Sequence, residues 1–149
     1  MKKSVLGAFI GLSVVLSIDS LARVIIAVLE NEEILMFSYS GYPGIIWPIV
    51  LVAVAGLSTF LGALFTLSYG KLHKITGLFI FIILLTLLRY SQTYLLMGTE
   101  ELLYPVAGFV LSLLMIFPAW RVMTPKKSPE LPKEEPPVEQ PRYHQPDEF

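Results

Sequence analysis

Four long apolar runs separated by short polar segments make up most of this chain, and their lengths set its class. The first covers about 5–29, the second about 45–69, the third about 75–98 and the fourth about 102–120. Each is close to or above the roughly 20 residues with which an α-helix crosses a bilayer core. The pattern predicts an all-α integral membrane protein: a four-transmembrane-helix bundle over 1–124, followed by a disordered C-terminal tail over 125–149. The tail is expected to stay unfolded because its Pro, Glu and Lys content leaves too little apolar surface to offset the entropy of ordering. Its prolines favour an extended polyproline II geometry, with Pro129 to Pro132 as a candidate docking motif and a plain spacer as the simpler reading.

The segments between the runs add detail. Lys2, Lys3 and the first run, ending at Ser20-Leu21-Ala22, also fit a cleaved signal peptide, but the apolar pattern continues through Val24 to Leu29, as an uncut span requires. Glu30, Glu32 and Glu33 end the first helix, and an exposed turn with Tyr39, Tyr42 and Pro43 leads to the second, where Trp47 marks the interface and Pro48 falls in the first turn. Lys71, His73 and Lys74 form the middle connector, Glu100 and Glu101 the next, and Arg121, Lys126 and Lys127 flank the last helix. Basic residues thus fall on one side and the other two connectors carry only acids. The positive-inside rule then expects cytoplasmic N- and C-termini in a bacterial-type plasma (inner) membrane.

Composition agrees: 54% of residues are hydrophobic and the mean hydropathy is +0.67, so the main solvent of the chain is lipid. No basic patch with interleaved aromatics points to nucleic acid. With no cysteine, disulfides and thiolate chemistry are excluded. His73 and His144 lie in the connector and the tail, so neither a haem nor another metal or cofactor is expected. No nucleophile and base are spaced for catalysis, and an enzyme is not expected.

The remaining chemistry is an intramembrane polar cluster: Asp19, Arg23, Arg89, Gln92 and Thr93. An ionised side chain near a helix centre costs about 2.5 to 3.5 kcal/mol on the insertion scale, which makes pairing important. Counting from the helix ends, Arg23 lies about 9 Å deep, Arg89 about 13 Å and Asp19 about 15 Å. Asp19 and Arg23 are one turn apart and share a face, where they are expected to pair, with Ser17 and Ser20 nearby. Thr86, Arg89, Gln92 and Thr93 share a face on the third helix, and the two polar faces are expected to meet inside the bundle. Two arginines then compete for one aspartate. Arg89 is expected to need Asp19 as a shared partner, Gln92 or backbone carbonyls, or an external anion. One reading has Arg23 reaching lipid phosphate or Glu30 while the cluster fixes helix register. The other has a polar cavity that binds an anion or carries protons through Asp19. The outer glutamates read as solvated loop charges.

Small residues at four-residue spacing, Gly7 and Gly11, Ala55, Thr59 and Ala63, and Gly108 and Ser112, predict close helix packing, within one bundle before a homodimer face. Leu21-Ala22-Arg23 and Leu87-Leu88-Arg89, each followed by an acidic turn and a Tyr-Pro pair, hint at a parallel duplication that makes the two arginines equivalent. The partners expected are the lipid bilayer and a membrane protein or further copies of this chain. The function expected is a non-enzymatic accessory or scaffolding subunit, with a small oligomeric transporter or channel for an anion or proton as the alternative.

Overall fold

A computed structural model describes residues 2–35, 37–69, 74–98 and 100–124. Lys71, His73 and the whole of 125–149, with the expected tail, its proline motif and His144, lie outside the described residues. Four helices follow in order: α1 (Lys2–Glu30), α2 (Ile46–Tyr69), α3 (Lys74–Leu96) and α4 (Leu103–Met123). All four are long and apolar enough to cross a membrane. The chain is a multi-pass integral membrane protein built as a four-helix bundle. Large apolar side chains such as Phe9, Leu57, Phe79 and Phe117 point outward from every helix, as contact with lipid requires.

Local chemistry sets the helix ends. Asn31 takes the left-handed conformation (φ 54°), and the Glu32 amide donates to the Ala27 carbonyl at 3.0 Å. This is a Schellman closure with Asn in the place usually held by Gly. Asn31 therefore terminates α1, and the glutamates around it are incidental. Gly98 (φ 90°) makes the corresponding reversal after α3. Where α3 begins, the Lys74 ammonium donates to the Met123 carbonyl at 2.9 Å and satisfies a free carbonyl at the end of α4.

Helix α2 packs against the other three, whereas α1 and α4 occupy opposite corners and do not meet. The small residues on α2 explain its central place, since Ala55, Gly56, Ser58, Thr59, Gly62 and Ala63 are all buried. The crossing with α1 is the tightest: a Cβ on Gly11 would lie 2.5 Å from the Gly62 carbonyl oxygen, and one on Gly62 2.6 Å from that of Gly11. Gly7, Gly11, Gly108 and Ser112 likewise face the interior. Two apolar layers result. One joins Ala8, Val15, Ala63, Phe81, Leu85, Ile116 and Ala119, and the other joins Ile26, Ala27, Tyr39, Tyr42, Leu51 and Leu96. The second layer lies at the connector end, where the α1–α2 and α3–α4 connectors meet.

That meeting corrects two expectations. Tyr39 and Tyr42 are buried, 1% and 3% exposed, so the α1–α2 connector folds into the bundle and does not stand out as an exposed turn. The Tyr39 ring occupies the space left by Gly108, where a Cβ would lie 2.9 Å from the Tyr39 hydroxyl. It thereby fills the end of the gap between α1 and α4. Glu100 is an anchor and not a solvated charge. Its carboxylate accepts from the Ser38 hydroxyl and from the amides of Tyr39 (2.9 Å) and Ser40 (3.1 Å). Successive amides converging on one anion form a backbone nest, here filled by the chain's own side chain.

Candidate functional site

Between the two apolar layers lies a polar hub to which every helix contributes. Helix α1 supplies Asp19, α2 the Ser58 hydroxyl and the Ala55 carbonyl, α3 Arg89 and Gln92, and α4 the Ser112 hydroxyl. Asp19 Oδ2 is 2.6 Å from Arg89 Nη1, and Asp19 Oδ1 accepts from the Ser58 hydroxyl at 2.6 Å. Arg89 Nη1 also donates to Gln92 Oε1 at 3.0 Å. Its Nε donates to Ser112 Oγ at 3.2 Å and its Nη2 to the Ala55 carbonyl at 3.3 Å. Ser112 and Thr59 add their hydroxyls to the same carbonyl, at 3.1 and 2.8 Å.

The arrangement is close to saturated. Both carboxylate oxygens of Asp19 and four of the five N–H donors of Arg89 are engaged. Asp19, Arg89 and Gln92 are each no more than 4% exposed. Small residues make this possible, because Ala55 and Ser58 on α2 and Ser112 on α4 leave room for a guanidinium among the helices. Leu85 and Phe81, at four-residue spacing before Arg89, hold that face of α3 against the apolar layer. Chemically the hub can lock register and fix which helix faces meet. A buried pair completed by further hydrogen bonds is the geometry in which mutual attraction offsets desolvation.

The Asp19 carboxylate pairs with Arg89 and not with Arg23, which corrects the pairing expected from helical spacing. Arg23 Nη1 donates to the Asp19 backbone carbonyl at 3.1 Å. The reason is geometric: the side chain of Asp19 points across the bundle to α2 and α3, where the Ser58 hydroxyl and the Arg89 guanidinium meet its two oxygens. Nor does Arg23 reach Glu30 or the lipid, being 2% exposed, while Glu30 accepts from Trp47 Nε1 at 2.8 Å. Its guanidinium lies 5.4 Å from the centre of the Tyr39 ring, and its Nε has no hydrogen-bond partner among the described residues. The arginine without an acid is thus Arg23 and not Arg89. The sequence echo equates the two arginines, yet their surroundings differ.

The remaining members are peripheral. Thr93 Oγ1 donates to the Arg89 carbonyl one turn back, at 2.9 Å, and does not join the hub. Ser17 is exposed and points away from Asp19. Ser112 and Ala55 are hub members that sequence reasoning took only as packing residues, and Ser58 joins them from the same small-residue face of α2. Their signal was present in the small-residue spacing, because a hydroxyl among glycines and alanines opposite a buried arginine is a ready partner. Among the described residues no group of His, Asp or Glu is placed to hold a metal.

Glu100 lies outside the helices, in the connector between α3 and α4. Partial burial opposes its charge, but the hydrogen bonds from Ser38, Tyr39 and Ser40 outweigh it, so its carboxyl titrates below the ordinary value of 4.5.

The chain matches no protein-family model, no curated protein and no solved structure. Any functional reading therefore rests on the geometry.

Proposed function

We propose that this protein is a non-enzymatic accessory or scaffolding subunit of a larger membrane assembly, in a bacterial-type plasma (inner) membrane with both termini cytoplasmic. The observation that carries this reading is the saturation of the hub. Asp19 and Arg89 spend their hydrogen bonds on each other and on three helices of the same chain, which leaves them little capacity for a moving ion. A rigid bundle with an apolar exterior on all four helices is suited to side-by-side contact with other membrane helices. The basic flanks at the two termini, opposite glutamate-bearing connectors, support the orientation.

A small oligomeric transporter or channel is the second reading, and Arg23 favours it, because two arginines for one aspartate leave one positive charge in the bundle uncompensated. Affinity purification in mild detergent tests the first reading. A stoichiometric membrane-protein companion is the expected result, and purification of a lone chain contradicts it. Flux through reconstituted protein, abolished by replacing Asp19, Arg23 and Arg89 together, would establish the second reading instead. Reporters fused after Leu35, Lys74 and Phe149 test the orientation, and a cytoplasmic signal at Leu35 overturns it.

A further inference from the structure

We infer that Arg23 is the anchor of a binding site for a phosphate oxyanion at the connector end of the bundle, closed in this structure by the ring of Tyr39. Three observations carry this. Arg23 is 2% exposed with no carboxylate partner, since Asp19 is taken by Arg89 and Ser58, Glu30 by Trp47, and Glu100 by the α1–α2 connector. Its Nε–H, one of the two donors on the guanidinium edge that forks onto an oxyanion, has no partner among the described residues. The cation is met by the Asp19 backbone carbonyl and by the face of the Tyr39 ring.

An aromatic face offers a cation a weak partial charge, whereas a phosphate offers a full one and two oxygens spaced for the fork. Tyr39 belongs to a connector and not to a helix. It is held on Glu100 by its own amide, the Ser40 amide and the Ser38 hydroxyl, so the cover is latched by contacts separate from those that hold the helices. Arg23 lies two turns before the end of α1, roughly 10 Å from it. A guanidinium at that depth is within side-chain reach of the headgroup layer once the ring is displaced. The ligand chemistry is a phosphate oxyanion, supplied by a phospholipid headgroup or by free inorganic phosphate.

The test uses the full chain in maltoside detergent free of phospholipid, with thermal unfolding as the readout. Phosphatidylglycerol added to the micelles, or inorganic phosphate added to the buffer, should raise the midpoint, and diacylglycerol, which lacks the phosphate, should not. A shift with the first alone identifies a headgroup, and a shift with the second identifies a free oxyanion. Arg23→Gln should weaken the interaction about tenfold or more, the effect of losing charged hydrogen bonds. Tyr39→Ala should strengthen it by removing the competing ring, which keeps the test decisive if Arg23→Gln does not fold. No shift with either anion in the wild type and in Tyr39→Ala overturns the proposal, as does an equal shift in Arg23→Gln.

Discussion

Replacing Asp19 with leucine removes the one negative charge in the hub and leaves Arg89 2% exposed and uncompensated. Loss of one partner from a buried pair costs about 3 to 5 kcal/mol. The lower end applies here, because the unfolded chain in a membrane also lets the arginine find partners. Arg89→Met alone leaves a buried carboxylate with only the Ser58 hydroxyl and is expected to cost a similar amount. The double variant should behave differently. Ser58 and Ser112 each have the Ala55 carbonyl within reach, at 3.2 and 3.1 Å, so they remain satisfied without the ion pair. Gln92 alone loses its partner, at roughly 1 kcal/mol. The cycle therefore predicts a coupling of at least about 2 kcal/mol between the two positions. Unfolding by SDS in mixed micelles, followed by the fluorescence of Trp47 and Trp120, measures all four proteins. Additivity within about 0.5 kcal/mol would refute the account of the hub.

Other outcomes follow from particular contacts. Glu100 titrates below its ordinary value in the folded protein, so the stability it lends is fully present above about pH 4.5 and is lost as the pH falls through its lower folded value. Hydrogen exchange at the Tyr39 and Ser40 amides should accelerate over that acid range, and Glu100→Ala should produce the same acceleration at neutral pH. Gly11→Ala places a Cβ 2.5 Å from the Gly62 carbonyl and forces α1 and α2 apart, an overpacking cost of about 1 to 3 kcal/mol that the same unfolding titration reads. Ser112→Ala removes one hydroxyl from a hub that keeps its ion pair, and should cost only about 0.6 kcal/mol, the mean for a hydrogen bond between membrane helices.

The four spans were legible because a long apolar run is a one-dimensional signal whose meaning depends on length alone. The shared face of Arg89 and Gln92 was legible for a related reason, since three-residue spacing fixes which side chains of one helix lie together. Spacing does not say which face of a neighbouring helix comes opposite. The choice of Asp19 between Arg23 and Arg89 therefore waited for the bundle, where α2 and α3 bring their donors to its carboxylate. Ser17 was misplaced for a reason the sequence does contain: two residues make about 200° around a helix, which puts it on the opposite side from Asp19. Asn31 was likewise readable as a helix terminator. The bond from Glu100 to the α1–α2 connector joins positions some sixty residues apart, and no local pattern signals it.

The most direct test of the hub is the distance between labelled atoms in the intact protein. Magic-angle-spinning NMR in lipid bilayers can measure dipolar dephasing of the Asp19 carboxyl carbon by arginine guanidinium nitrogens, with Arg23→Lys and Arg89→Lys samples assigning the source. An Nη1–Oδ2 separation of 2.6 Å predicts strong dephasing by Arg89, retained when Arg23 is replaced and lost when Arg89 is. Dephasing that survives replacement of Arg89 and disappears with Arg23 would show that the aspartate pairs along its own helix, and would contradict a lock shared by all four.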